Sequence, residues 1–186
     1  EITTRLVGSE MCIRDRDNLT KKFNLQDFDT IVNVCPHDSI ESLKTLKKLG
    51  IKQVQYNLEI ANKELFTTTC PGKINYEIFV NKLYEAVSIF GKGNVRSNFV
   101  LGLQDFSELL NECNKFAENG IVTDYSVFQP KENTPYSNLK APEMRDVINF
   151  TNELVKIYLK YNQHPIFCSL SSRSSIVNEV YNDNDK

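Results

Sequence analysis

The sequence predicts an α/β fold in which parallel strands alternate with helices along the chain. Three observations predict it: short runs rich in β-branched residues, longer runs with apolar residues at helical spacing, and a glycine that ends three of the four longer runs. Short turns from helix to strand join parallel strands through right-handed crossovers. Four such βα units can be identified along the chain.

The first unit begins with FDTIVNV (28–34), a short β-branched run that predicts a strand. Residues 36–50 follow and predict a helix with a stripe of apolar residues at helical spacing. Asp38 or Ser39 is suited to cap the start of this helix, and Gly50 ends it.

The second unit opens with the strand-like run IKQVQYNLE (51–59). A polar loop that contains TCPGK (69–73) leads to an amphipathic helix over residues 75–91.

The third unit pairs a predicted strand over residues 94–103 with a helix over 106–120. The fourth pairs a strand over 121–130, which a proline ends, with a helix over 141–162. The last segment, 164–186, is weakly patterned, so we expect a barrel-like domain over 17–163 and a separate C-terminal segment.

Four units do not close a barrel, which needs eight, so the pattern favours an open sheet or a partial (β/α) barrel of the TIM type. The opening segment favours a partial barrel whose N-terminal units are missing. Residues 6–16, LVGSEMCIRDR, back-translate to a sequence that resembles the transposase adapter used to prepare sequencing libraries. We therefore expect residues 1–16 to be non-native and exclude them from the fold. The alternative is a natural flexible N-terminus.

The composition gives no indication of a nucleic acid or a membrane as partner. The net charge is -2, and residues 1–16 contribute equal numbers of acidic and basic side chains to it. No apolar run approaches the roughly 18 residues of a membrane span. The cysteines are widely spaced and suggest neither a disulfide framework nor a metal motif, so we expect a reducing cytoplasm. They are Cys12, Cys35, Cys70, Cys113 and Cys168.

Candidate binding residues lie where the predicted strands end, because ligands in such folds bind at the carboxyl ends of the strands. The second strand run ends with Tyr56, Asn57 and Glu59. Side chains alternate in direction along a strand, so at most one of Tyr56 and Asn57 points into the barrel. The third run carries Arg96 and Asn98, and an arginine at the barrel mouth suits a carboxylate or phosphate.

Four segments, in this order, resemble the later part of a radical S-adenosylmethionine (radical SAM) barrel, most closely the biotin synthase-like group. They are YNLE (56–59), CPGK (70–73), the run over 76–105, and SVFQPKENTPY (126–136). Gly102 and Asp105 match the group's Gly-x-x-acid strand pattern. QPKENTP resembles its Pro-x-x-Gly-Thr-Pro loop, with Asn133 where glycine is usual. The resemblance covers roughly residues 28–140.

The resemblance implies an enzyme that cleaves S-adenosylmethionine reductively and starts radical chemistry on a small-molecule substrate. In the family, a Cys-x3-Cys-x2-Cys motif holds a [4Fe-4S] cluster, and a reductant protein supplies electrons. This sequence has no such motif. We therefore expect a fragment that is inactive as it stands, whose cluster ligands are not in this chain and whose catalytic residues are not assigned.

Several residues match family positions near the ligands. The resemblance places Glu59 near the ribose or amino group of SAM, and Arg96 and Asn98 near its methionine end or the substrate. Gly102 would allow close backbone approach, and Pro130 would lie at the edge of the adenine. Tyr56 and Asn57 are the expected substrate-binding residues.

Other interpretations remain open at this point. Glu59 is also compatible with a solvated strand end, Arg96 with an ion pair, and Asn98 with a loop contact. The chain is also compatible with a non-catalytic barrel of the same descent, acting as a scaffold or binding module. A Schiff-base aldolase would need a lysine in an apolar strand setting. Lys52 starts a strand instead of ending one.

Overall fold

The computed structural model describes residues 18, 29–36, 39–165 and 175–184. Its four strands form one sheet in sequential order, and every neighbouring pair is parallel. The predicted α/β fold with consecutive βα units, as in a partial barrel, is confirmed. The strands are β1 (Ile31–Asn33), β2 (Gln53–Gln55), β3 (Val95–Leu101) and β4 (Ile121–Val127).

Within the described residues, six helices accompany the sheet. They are α1 (Ile40–Lys48), α2 (Lys63–Thr69), α3 (Tyr76–Phe90), α4 (Phe106–Glu118), α5 (Met144–Lys160) and α6 (Val177–Asn184). The sequence patterns predicted α1, α3, α4 and α5 with bounds a few residues wider. Residues 1–16 lie outside the described residues, so their non-native origin stays a prediction.

Two helices were missed from the sequence. Helix α2 lies where we predicted only a polar loop, and it begins because the Asn62 side chain accepts a hydrogen bond from the Leu65 amide. Helix α6 lies in the weakly patterned C-terminal segment, where Val177 and Tyr181 are buried. Both helices are short, so neither presents a long apolar stripe.

Side-chain caps explain where the predicted helices begin. Ser39 caps α1 through the Ser42 amide, in agreement with one of the two predicted caps; Asp38 lies outside the described residues. Asp105 caps α4 and accepts hydrogen bonds from the amides of Ser107 and Glu108. The acidic residue of the Gly-x-x-acid pattern therefore starts a helix in this chain.

The helices pack on one face of the sheet and form the hydrophobic core with it. Rings from the helices pack on it: Phe99 of β3 lies 6.1 Å from Phe116 of α4, and Tyr125 of β4 lies 5.5 Å from Phe150 of α5, between ring centroids. Because strand side chains alternate, the residues between these rings point to the opposite face. That face, here called the polar face, carries Gln53, Gln55, Arg96, Asn98, Asp124 and Ser126.

The helices of the described part of the chain, residues 29–36, 39–165 and 175–184, do not include one with the length and hydropathy required to span a bilayer.

Gly102 is a point where the fold tolerates no side chain. Its φ is +109°, and an added Cβ would lie 2.8 Å from Cδ of Pro142. We predict that Gly102→Ala lowers the free energy of unfolding by roughly 1–3 kcal/mol, since the change adds both backbone strain and overpacking. Urea unfolding followed by circular dichroism measures this change.

Gly72→Ala is the matched control, because its φ is not left-handed and no atom of the described residues lies within 4 Å of its added Cβ. We expect this variant to stay within about 0.5 kcal/mol of the parent. Equal losses in the two variants would contradict the assigned role of Gly102.

Candidate functional site

A pocket of about 250 Å³ opens at the carboxyl ends of β1 and β2. One wall is the chain that leaves β1, residues 33–36, and the other is the loop of residues 72–74 before α3. Asn57, Glu59 and the Phe79 ring complete the lining. The pocket lies at the sheet edge where parallel α/β folds bind their ligands.

Glu59 has an unusual backbone conformation in this pocket. Its φ is 70°, a left-handed value that costs a residue other than glycine about 1–3 kcal/mol. Strand β3 holds it there: the Glu59 amide donates to the Asn98 carbonyl at 2.9 Å, and its carbonyl accepts from the Val100 amide at 2.8 Å. Such strain persists only where the surrounding structure enforces it, and it concentrates at functional sites.

Lys73 is the charged partner of Glu59. Its Nζ donates to Glu59 Oε1 at 3.3 Å and also to the main-chain oxygen of Asn57. The same Nζ lies 5.6 Å from the centroid of the Phe79 ring. The two side chains are only 30% and 28% exposed, so the ion pair is mostly removed from solvent.

Sequence reasoning did not assign a role to Lys73. The available signal was its position in the segment CPGK, which was used there only for the family resemblance. Its contact with Glu59 joins two loops that are separated by 14 residues in the chain, and no local pattern reveals such a contact.

Tyr56 and Asn57 point in different directions, as the alternation along a strand predicts. Tyr56 is fully buried in the core, whereas Asn57 lines the pocket. Asn57 Oδ1 accepts a hydrogen bond from Gln55 Nε2 at 2.7 Å. The structure therefore brings Asn57 and Glu59 together and keeps Tyr56 away from them. The expected substrate roles of Tyr56 and Asn57 stay predictions.

Arg96 does not lie at the mouth, where the sequence analysis expected it. It is the second of seven residues in β3 and so belongs to the amino end of that strand. It is 5% exposed, its Nε donates to Gln53 Oε1 at 2.9 Å, and a terminal nitrogen donates to the His164 carbonyl at 3.0 Å. Arg96 lies on the polar face, and its ligand role stays a prediction.

Asn98 lies on the polar face two residues after Arg96, and so closer to the carboxyl end of β3. Its Nδ2 donates to Ser126 Oγ on the neighbouring strand β4 at 3.0 Å. Its carbonyl is the acceptor that fixes Glu59, so Asn98 contributes to the pocket through its backbone. The predicted contact of its side chain with a ligand stays a prediction.

The remaining predicted residues lie on or against the loop of residues 128–143. The close approach at Gly102 is made by Pro142 of this loop, and Pro130 is exposed within it. Asn133 has a φ of 62°, a conformation that glycine favours and asparagine tolerates. The asparagine therefore takes a conformation suited to the glycine that is usual there in the resembling loop.

The described residues do not fit the [4Fe-4S] cluster that the sequence resemblance implies. No three His, Cys, Asp or Glu side chains converge in that part of the chain. Its cysteines differ in setting: Cys35 is exposed at the pocket, Cys70 is half-buried and Cys113 is buried.

Cys70 reports on the charges of the pocket. Burial raises the pKa of its thiol, while the nearby Lys73 lowers it and Glu59 raises it. We predict that Lys73→Met raises the Cys70 pKa further and that Glu59→Gln lowers it. Because the thiolate is the reactive form, the midpoint of the alkylation rate against pH should move up in the first variant and down in the second.

Iodoacetamide labelling of the Cys70 peptide, followed by mass spectrometry across pH, measures both midpoints. Lys63→Met is the control, because Lys63 pairs with Glu77 outside this pocket. Midpoints that move in the same direction in the two pocket variants would contradict the arrangement.

The comparisons with known proteins support a fold and not a family. No protein-family model matches the sequence. No curated protein matches it either. A solved structure with a similar fold is the coproporphyrinogen III oxidase HemN from Escherichia coli, which is a radical SAM enzyme. The TM-score is 0.56 and the sequence identity is 14%.

The similar region covers 82% of this chain and 37% of the HemN chain. This chain therefore spans little more than a third of that enzyme. The expected resemblance to the radical SAM fold is confirmed, and the narrower resemblance to the biotin synthase-like group stays a prediction. This chain therefore has a fold similar to that of part of HemN.

Proposed function

We propose that this chain is the later part of the barrel of a radical SAM enzyme. The observation that carries the proposal is the fold shared with HemN over 82% of the chain. A [4Fe-4S] cluster with bound S-adenosylmethionine would supply the radical chemistry. Since the described residues do not offer a ligand set for that cluster, its ligands would come from residues outside them.

The pocket supports a role in binding the cofactor. It lies at the carboxyl edge of the sheet and presents the Glu59 carboxylate, which is fixed by a strained backbone. A carboxylate accepts hydrogen bonds from a ribose diol or from an ammonium group. In this proposal Glu59 accepts such bonds from S-adenosylmethionine, and Asn57 beside it contacts the cofactor or the substrate.

The polar face and the long loop supply the rest of the proposed site. Asn98 and Arg96 lie along the polar face, from near the mouth toward the amino end of β3, and would contact substrate or cofactor inside a complete barrel. Gly102 would let the backbone approach closely, and Pro130 in the loop of residues 128–143 would edge the adenine.

The proposal includes the partners that this chemistry requires. A small molecule is the substrate, a reductant protein delivers electrons to the complete enzyme, and the cytoplasm is the compartment. Membership of the biotin synthase-like group is part of the same proposal. It rests on the order of YNLE, CPGK and QPKENTP in the sequence.

A titration with 5′-deoxyadenosine tests the cofactor role of Glu59. We predict saturable shifts of backbone amide resonances around Asn57 and Glu59 in proton–nitrogen NMR spectra. Glu59→Gln should weaken the binding about tenfold or more, because hydrogen bonds to a charged acceptor contribute about 1.5–3 kcal/mol.

Glu64→Gln is the matched control, because Glu64 is an exposed acid in the first turn of α2, outside the pocket. It should change the affinity by less than about twofold. If saturating nucleoside leaves the pocket amides unshifted, or if the two variants weaken binding equally, the assignment of Glu59 is wrong.

A further inference from the structure

The ion pair in the pocket has unused hydrogen-bonding capacity on both sides. Lys73 has three N–H donors, of which one faces the Asn57 carbonyl and one faces Glu59. Glu59 has two carboxylate oxygens, and the bond from Lys73 occupies Oε1. Among the residues that the structure describes, one donor of Lys73 and one acceptor of Glu59 therefore remain for a ligand, a short distance apart.

The charge balance of the lining selects the kind of ligand. Glu59 and Lys73 are the full charges among the described lining residues 33–36, 57, 59, 72–74 and 79, so the described lining is neutral overall. A simple anion that approached Lys73 would be repelled by the Glu59 carboxylate, whose Oε1 lies 3.3 Å from Lys73 Nζ. A simple cation that approached Glu59 would be repelled by the Lys73 ammonium in the same way. A ligand that carries both charges meets an attractive partner for each.

An α-amino acid carries its two charges at a suitable separation. Its ammonium and carboxylate groups are attached to the same carbon, so they are about as close to each other as Glu59 Oε1 and Lys73 Nζ, which are 3.3 Å apart. The ammonium would donate to the free oxygen of Glu59, and the carboxylate would accept from the free N–H of Lys73. Both would be charge-assisted hydrogen bonds in a mostly desolvated setting.

The size and the walls of the pocket narrow the class further. Its volume of about 250 Å³ lies below the 300–1,000 Å³ that is typical of drug-sized ligands. Val34, Pro36, Ile74 and Phe79 supply apolar walls. These properties fit one small amino acid with an apolar side chain better than a ligand that also carries an adenosyl group.

We propose that the Glu59–Lys73 pair is a receptor for the zwitterionic head of an α-amino acid with an apolar side chain. The inference rests on the proposed radical SAM barrel and names the class of its small-molecule substrate, but it assigns the Glu59 carboxylate to that substrate in place of S-adenosylmethionine. Lys73 then becomes a specificity-determining residue that holds the substrate carboxylate.

NMR titrations of the 186-residue chain with three matched compounds test the proposal. The compounds are L-leucine, N-acetyl-L-leucine without the ammonium, and L-leucinamide without the carboxylate. We expect saturable shifts of the pocket amides with L-leucine and an affinity about tenfold or more lower for each derivative, since each loses one charge-assisted hydrogen bond.

Two variants connect each charge of the ligand to its partner. Lys73→Met should weaken L-leucine about tenfold or more, and it should bind L-leucinamide at least as well as the parent does, because the charge that repels this cation is gone. Glu59→Gln should weaken L-leucine to a similar extent, and it should bind the anion N-acetyl-L-leucine at least as well as the parent does. Lys63→Met disrupts an exposed pair with Glu77 and should change nothing. The spectrum of each variant without ligand shows whether it is folded.

The proposal is overturned if L-leucine causes no saturable shift, or if the derivatives bind as well as L-leucine. It is also overturned if the same dependence on Lys73 appears only with S-adenosylhomocysteine, because the pair would then serve the cofactor's amino-acid end. If 5′-deoxyadenosine binds and L-leucine does not, this inference is rejected and the proposed function stays supported. If L-leucine binds and 5′-deoxyadenosine does not, the amino-acid site is supported and the cofactor role of Glu59 loses its support.

Discussion

The pair of hydrogen bonds between Glu59 and β3 is the interaction on which the candidate site depends. Strand β2 ends at Gln55, yet the chain stays beside β3 until the Glu59 amide and carbonyl reach Asn98 and Val100. This contact forces a left-handed conformation on a glutamate and places its carboxylate in the pocket. The cost of the backbone is about 1–3 kcal/mol, which the paired strands offset.

The rest of the pocket follows from elements that reach the same edge of the sheet. Lys73 comes from the loop between α2 and α3 and ties that loop to the end of β2 through the Asn57 carbonyl and Glu59. The loop of residues 128–143 reaches α2 from the far strand, where the Tyr136 hydroxyl donates to Thr69 Oγ1 at 2.9 Å. Parallel strands make this convergence possible, because all of their carboxyl ends lie on one side.

Periodic features could be predicted from the sequence, and contacts between distant segments could not. The stripes of α3, α4 and α5 and the β-branched runs repeat along the chain, so they identify the parallel α/β fold. The alternation along the predicted strand run 51–59 separated Asn57, which lines the pocket, from Tyr56, which is buried in the core. Glu59 was selected as a polar strand end, but its strained backbone depends on β3, which begins 36 residues later.

The failures have related physical causes. Helix α2 has seven residues and few apolar positions, so its start depends on one side-chain cap. Arg96 was expected at the mouth because it is a charged residue in an apolar strand, although the predicted strand over 94–103 already placed it near the amino end. In the structure it is the second residue of β3, and its partners are Gln53 and the His164 carbonyl, which no local pattern reveals.

The genomic sequence that precedes the codon for Asp17 tests the central claim most directly. If this chain is the later part of a radical SAM barrel, the reading frame upstream encodes a strand-like run followed by Cys-x3-Cys-x2-Cys. An intact reading frame without those cysteines would contradict the claim, and a non-catalytic barrel of the same descent would then be the better description.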